Sequence, residues 1–522
     1  MDGGNAFDAA FALAFGLCVC HPQAGNIGGG GYLVYREGSG LPKSISFREQ
    51  APMAATREAF LLSDGTPDPD RTAFGPPSVC VPGTVKAFFQ LHAQRGRIKT
   101  ADILTTIADR ASKGAVVTKY EADCLNRLGP KLTQSPEARK HYVKDASQGG
   151  VWKAGELLFN PALEKTLRVL AREGEAAFYR DRIADQIVAD LSSNGGFMSW
   201  KDLADYQVRE APAISLPVGG RRVWTVPPEG GGAMLLELLG VLDHEEFRRQ
   251  RPFSAGWHHF VAQASKLAFI GRREYLGDVS TIGNAAYEGI FNPEELERRF
   301  AAIDRERDIP TDELARRIGA ASAADGKDAG KNTTHFAVID AEGNAVSCSY
   351  TMNLRYGSKW AIADAGFLVN GSMDSFSFVE GRENYFGVVG SKPNLFAPGK
   401  RPCSNMAPTL VTKDGFTEMA LGTPGGPTIP TTLGSVLAAL LIHGVDPAEA
   451  IKIHRLHHQG WPDKLAHEVG FTDTALLEEL SARGYTIKDK QELISDIEGV
   501  FATDQGYTAI SDWRREGKAM AL

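Results

Sequence analysis

The run Asn332-Thr333-Thr334-His335 joins a small, polar, unpatterned stretch (321–332) to a segment of strand character, 333–340. Two readings fit a threonine at that junction. In the first, Thr333 is a β-branched residue opening a strand. In the second, it is a hidden N-terminal nucleophile. Cleavage of the Asn332–Thr333 bond would give Thr333 a free α-amine beside its own hydroxyl. An unperturbed α-amine titrates at roughly 7.7–8.0, so it can act as general base at neutral pH without a histidine. A threonine hydroxyl activated by its own amine is an established nucleophile. The polar stretch before it would let the new terminus open to substrate.

Other candidate chemistry is weaker. Gly28–Gly31 follows a helix and enters a strand. A dinucleotide fingerprint needs the reverse order, strand, glycine turn, helix, so close backbone packing is the expectation and no nucleotide cofactor is implied. His258-His259 and His457-His458 are adjacent pairs that diverge on a helix. His454 and His458 have i,i+4 spacing, but Arg455 stands where a zinc-protease helix carries glutamate, and no C-x-x-C occurs. No metal is expected. There is no G-x-S-x-G elbow. The six cysteines read as buried free thiols rather than a disulfide scaffold. A net charge of −7 is a poor basis for nucleic-acid or anionic-membrane binding, since both need a basic face.

The elements that must position Thr333 are legible in outline. Asn5 caps a helix through Asp8–Cys20. Tyr32–Tyr35 and Ser44–Phe47 read as strands, and Thr84 opens a helix closed near Gly96. The middle, about 97–320, reads as mostly helical, with Arg222–Val226 as its strand-like exception. Thr333–Asp340 and Ala345–Thr351 form a hairpin around a Gly343-Asn344 turn. A second hairpin, Thr409–Thr412 and Phe416–Leu421, empties into Gly422-Thr423-Pro424-Gly425-Gly426-Pro427 and a helix from about Thr428. The C-terminal part adds helix and two last strand pieces, Gly499–Ala502 and Tyr507–Ser511. No apolar run reaches the ~20 residues of a spanning helix, and no basic region precedes the first one, as a signal peptide would require. The abrupt start reads as a chain that begins late. The expectation for compartment is cytoplasmic.

With these residues in view, the sequence resembles the γ-glutamyltranspeptidase family of N-terminal-nucleophile (Ntn) hydrolases. The matching segments, in family order, begin with Gly3-Gly4-Asn5-Ala6, Asp8-Ala9-Ala10, Gly28–Gly31, Phe47-Arg48-Glu49 with Ala51-Pro52, and Val81-Pro82-Gly83. They continue through Asp202-Leu203 with Tyr206, Pro227-Pro228, Tyr275-Leu276-Gly277-Asp278 and Thr333-Thr334-His335-Phe336. The last are Gly343-Asn344-Ala345-Val346-Ser347, Arg401-Pro402, Pro408-Thr409 and Pro424-Gly425-Gly426. The resemblance implies a four-layer αββα Ntn sandwich made as one precursor, an α/β (α+β) fold without cofactor. Autocatalytic cleavage before Thr333 would leave a large fragment, 1–332, and a small one, 333–522, as partners in one fold. It further implies Thr333 as nucleophile, Thr351 as its hydrogen-bond partner, and Gly425 and Gly426 as the oxyanion hole.

For the donor pocket, the resemblance assigns Arg48 to the substrate carboxylate and Asn353 and Ser404 to recognition. The family's second recognition serine is Asn405 here. Transpeptidases hold the donor's α-ammonium with a glutamine and an aspartate. Ungapped counting from Thr351 puts those positions at Ser372 and Ser375, with Asp374 adjacent. Loss of the carboxylate removes the main partner of a cationic amine. The expected substrate is therefore a small amide whose acyl part carries a carboxylate and no α-amino group, of oxamate or glutaryl type. The alternative is a true γ-glutamyl enzyme with a rearranged pocket using Asp374. Residues 378–400 have the length of the family's lid loop, with Tyr385 or Phe386 at the aromatic gate.

Overall fold

Side-chain alternation along the strand Gly30–Arg36 explains how its layer is buried on both faces. Tyr32 and Val34 join one apolar core, and Leu33 and Tyr35 join another on the opposite side. A computed structural model shows what lies beyond each face. It describes residues 3–521 except 146, 148, 284, 323–332 and 386. The expectations for Asn332 and Phe386 therefore lie outside the described residues.

Gly30–Arg36 sits at the middle of a five-stranded antiparallel sheet. The strand order is Arg209–Pro212, Lys43–Ser46, Gly30–Arg36, Ala345–Thr351, Thr334–Ile339. A six-stranded antiparallel sheet stacks on it in the order Gly506–Ser511, Glu498–Thr503, Phe416–Gly422, Thr409–Lys413, Arg221–Thr225, Ile214–Val218. Helices Ala6–Cys20 and Thr84–Arg95 cover the outer face of the first sheet. Helix Gly232–Leu242, with Ala255–Tyr275 and Thr428–Leu441 against it, covers the second. The result is the four-layer αββα sandwich expected. The first sheet interleaves strands from 1–332 and 333–522, so both regions build one core.

Local signals account for most boundaries. The Asn5 side chain accepts from the N–H groups of Phe7 and Asp8, and Asp8 returns a bond to the Asn5 N–H, a complete capping box. Pro430 falls in the first turn of Thr428–Leu441, where its missing N–H breaks no intrahelical bond.

The helical reading of the middle segment is corrected by a small two-stranded sheet, Ala115–Val116 with Leu157–Leu158, and by two strands of the main sheets, Arg209–Pro212 and Ile214–Val218. The main-sheet pair share a feature. Each contains a proline and each is an edge strand of its sheet, the position where a missing N–H costs no ladder bond. The C-terminal part also holds a small sheet of Leu456–His457, Leu465–His467 and Ile487–Asp489. His454 and His458 thus flank a strand, and helical i,i+4 spacing does not apply to them. Five cysteines are buried, whereas Cys20 is exposed. Among the described residues no helix is long and apolar enough to cross a membrane.

The four glycines do pack the backbone closely. A Cβ at Gly28, Gly29, Gly30 or Gly31 would overlap the carbonyl oxygen of Leu368, Thr351, Phe47 or Ser349 in turn. Gly29 therefore sets how near the chain runs to the end of the strand Ala345–Thr351. Gly29→Ala is expected to cost about 1–3 kcal/mol, because neither backbone can yield without disturbing a central strand. Denaturant unfolding checks this; an unchanged midpoint would contradict it.

Candidate active site

The strand pair Thr334–Ile339 and Ala345–Thr351 positions the candidate nucleophile. Its register matches Thr334 to Tyr350 and His335 to Ser349, so one further step brings Thr333 opposite Thr351. Alternation then sorts the faces. Phe336, Val346, Cys348 and Tyr350 turn to the helical layer. His335, Ser347 and Ser349 turn to the second sheet. There Ser347 Oγ donates to the Leu421 carbonyl (3.0 Å), and Nδ1 of His335 meets Ser349 Oγ (2.9 Å). Thr333 and Thr351 continue that inter-sheet row, and both are buried.

His335 is not an acid–base group. Burial pushes its pKa down to about 3, which leaves it neutral, and a Cβ at Gly422 would overlap its ring. This fit seats the head of the strand beside the chain that leaves the second sheet toward Gly425.

Gly425 and Gly426 adopt φ of 141° and 60°, where a side chain is strained. Among the described residues neither N–H makes a hydrogen bond. Helix Thr428–Leu441 begins just after them, so its positive end adds to two free donors. Thr428 Oγ1 donates to the Gly425 carbonyl (3.0 Å) and lies 2.6 Å from Ser495 Oγ. Ser495 comes from a distant loop and was not foreseen from the sequence.

The donor-side residues form a connected chain. The Asn353 N–H donates to Thr351 Oγ1 (2.9 Å), and its backbone stands at φ 73°, a region that asparagine tolerates better than most residues. Ser375 Oγ donates to Asn353 Oδ1 (3.0 Å) and accepts from Nη2 of Arg48 (2.9 Å). Nη1 of Arg48 pairs with Glu49 Oε2 (2.5 Å), and Ser372 Oγ donates to Glu49 Oε1 (2.8 Å). Both members of the pair are buried. Burial opposes the charge on Arg48, but the Glu49 carboxylate together with Tyr32, Cys80 and Cys403 holds the guanidinium pKa above its ordinary value.

The sequence placed Glu49 in a motif without a role. Adjacent residues on a strand diverge, but Arg48 and Glu49 lie past the end of Lys43–Ser46, where the chain is irregular. Ser404 and Asn405 stand nearby, next to Pro402, whose carbonyl accepts from Arg48 Nε (3.2 Å). Ser404 Oγ accepts from the Met406 N–H, and Asn405 Oδ1 accepts from Arg272.

Asp374 adjoins the Arg48 chain, its carboxyl facing the Asn353 side chain. It belongs to the 3₁₀ turn Ser372–Ser375, and its Oδ1 accepts from the Tyr385 N–H (3.0 Å) and from Thr72 (3.4 Å). Oδ2 is buried without a hydrogen-bond partner. Asp374 thus ties down residues 378–400, while the Tyr385 ring, partly exposed, meets Phe74 edge-on.

Burial raises the Asp374 pKa to about 6 against these hydrogen bonds. The folded state therefore holds this proton more tightly than the unfolded chain, whose aspartates titrate near 3.9. The associated stability is greatest below about pH 4 and is lost as pH rises through 6. Asp374→Asn should accordingly gain up to about 3 kcal/mol over the parent at pH 8, and nothing at pH 4. Thermal unfolding at the two pH values checks this; a pH-independent difference would contradict it.

A cavity of about 430 Å³ lies beneath residues 376–390. It shares Asp374 and Ser375 with the donor cluster, but neither Thr333, Thr351, Gly425 nor Gly426 lines it. Among the described residues no group of histidine, cysteine or acidic side chains is arranged to hold a metal ion.

This geometry has a family. The Gamma-glutamyltranspeptidase family model matches residues 1–522. The chain belongs to the γ-glutamyltranspeptidase family. Its fold is the Ntn-hydrolase sandwich, and it is an enzyme of the amide-cleaving hydrolase and transferase class.

Among curated relatives, the glutathione hydrolase proenzyme of Escherichia coli strain K12 is 34% identical over 490 residues. That match spans 94% of this γ-glutamyltranspeptidase-family chain and 83% of the relative. The proenzyme of that name from Pseudomonas aeruginosa is 34% identical over 530 residues, spanning 100% of this chain and 91% of its own. Among solved structures, a cephalosporin acylase from Bacillus halodurans superposes with a TM-score of 0.82. It shares 24% identity and covers 100% of this chain and 92% of its own, a likeness of fold.

Proposed function

We propose that this chain is a self-processing threonine amidohydrolase or acyltransferase that cleaves a small amide whose acyl group carries a carboxylate and no α-ammonium. In maturation, Thr333 Oγ attacks the Asn332 carbonyl carbon, and the acyl group moves from nitrogen to oxygen. Water hydrolyses the resulting ester, leaving a carboxylate on Asn332 and a free α-amine on Thr333. The products are fragments 1–332 and 333–522. In turnover the α-amine takes the Thr333 hydroxyl proton as Oγ attacks the substrate amide. The amide N–H groups of Gly425 and Gly426 stabilise the oxyanion. The C–N bond then breaks, the leaving amine receives the proton, and water or an amine releases the acyl group from Thr333.

The observation that carries the donor class is Ser375. Its hydroxyl bridges Arg48 and Asn353 where the family resemblance calls for an aspartate. The neighbouring acids are engaged elsewhere: Glu49 is paired with Arg48, and Asp374 Oδ1 accepts from Thr72 and Tyr385. Oxamate and glutaryl-type amides meet that description. Two observations favour the other reading, a γ-glutamyl enzyme: the relatives at 34% identity are named glutathione hydrolase, and Asp374 Oδ2 lacks a hydrogen-bond partner.

Two measurements test the proposal. Denaturing mass analysis with N-terminal sequencing should find a small fragment beginning Thr333-Thr334-His335. Release of amine from oxamate, glutaryl and γ-glutamyl amides then decides the donor. Preference for γ-glutamyl amides would overturn the donor class and leave the maturation chemistry standing.

A further inference from the structure

The cavity next to Ser375 contains a positive charge that no carboxylate among the described residues pairs. Arg272 lies in the last turn of helix Ala255–Tyr275, is 7% exposed and lines the cavity. Its Nε donates to Asn405 Oδ1 (3.1 Å) and its Nη2 to Cys403 Sγ (3.4 Å). Neither acceptor is a carboxylate. Among the described residues no carboxylate comes within ion-pair distance of this guanidinium, and Nη1 makes no hydrogen bond. Arg48 is the contrast, because its buried charge is matched by Glu49 at 2.5 Å. An unpaired buried guanidinium is costly, and its planar fork suits a carboxylate. The acids on the cavity lining, Asp374 and Glu383, leave that fork unpaired.

The place of Arg272 also bears on length. From Thr351 the contacts run through Asn353 to Ser375, and the cavity begins there. An oxalyl group carries its carboxylate on the atom next to the attacked carbon, whereas a glutaryl group carries it beyond three further methylenes. A cavity of about 430 Å³ is also of a size that holds larger ligands.

We propose that Arg272 is a specificity-determining residue of the donor pocket, receiving through Nη1 the terminal carboxylate of an ω-carboxyacyl amide of glutaryl length. This rests on the reading of the donor class above and selects its longer member.

The test compares glutaryl and valeryl p-nitroanilides, which match in chain length and differ in the terminal carboxylate. Arg272→Gln should raise KM for the glutaryl compound about tenfold or more, the worth of a charge-assisted hydrogen bond. The valeryl KM should stay within about twofold, and Arg272→Lys should recover part of the loss. Equal losses on both compounds, or none on either, would overturn the proposal. Processing into two fragments, read on the same samples, separates a folding failure from a binding one.

Glutarate titration by calorimetry needs no turnover. It should detect binding to the parent and weaker binding to Arg272→Gln; no binding to the parent would overturn the proposal. A parent enzyme that prefers γ-glutamyl amides would refute the donor class separately. The pair then becomes γ-glutamyl and γ-aminobutyryl anilides, with and without the α-carboxylate. A loss confined to the carboxylate-bearing member keeps Arg272 as an anion-binding residue but overturns its assignment to glutaryl chains.

Discussion

Thr333→Ala should yield one uncut chain of 522 residues with no measurable amidase activity. The change removes the oxygen that must attack Asn332, so the α-amine never forms. Nucleophile and general base vanish together, and a loss of at least about 10³-fold is expected. The fold should survive. Thr333 lies at the end of a strand seated by His335 against Gly422, and Ser347 on the Leu421 carbonyl holds the partner strand; neither contact needs the Thr333 hydroxyl. Thr333→Ser keeps the hydroxyl and should still be cut. Intact mass under denaturing conditions decides the matter. A Thr333→Ala chain cleaved between 332 and 333 would remove the basis of the proposed maturation chemistry.

Arg48→Gln should be the most damaging change in the donor cluster. It leaves Glu49 buried with Ser372 as its remaining side-chain partner, and breaking a buried pair from one side costs about 3–5 kcal/mol. The same change removes the donor to Ser375 and with it the fixed geometry between Ser375 and Asn353. Arg48→Gln with Glu49→Gln removes the orphaned charge and should recover most of the stability, but not the substrate affinity. Unfolding curves and KM for the preferred donor, measured on both variants, separate the two effects. If the single and double variants lose equal stability, the pair is not coupled as described. An unchanged KM would remove Arg48 from the donor pocket.

The two edge strands hidden by Pro212 and Pro217, and the buried pairing of neighbours Arg48 and Glu49, have a common cause. In each case the local pattern points one way and the surrounding fold decides otherwise. A proline reads as a strand breaker until the sheet shows that nothing needs its N–H. Adjacent charges read as divergent until an irregular backbone lets them meet. Asp374 was considered a substitute ammonium anchor because it adjoins Ser375. The 3₁₀ turn gives Asp374 Oδ1 to Tyr385 and Thr72 and leaves Ser375 to bridge Arg48 and Asn353.

What the sequence determined by itself was the candidate nucleophile, Thr333, and the elements that present it. A hairpin is a local object, and its register follows from alternation and a short turn, so Thr333 opposite Thr351 was legible from spacing. The glycines at 28–31 and 425–426 were legible as backbone constraints because only glycine meets such demands. What only the tertiary structure decided was charge. Whether a buried arginine or carboxylate is compensated depends on where the folded backbone places its possible partners. Arg48 finds Glu49, Asp374 finds the segment that covers it, and Arg272 meets an amide, a sulfur and an open cavity. Electrostatic energy depends on distance in space and on burial, and spacing along the chain reports neither.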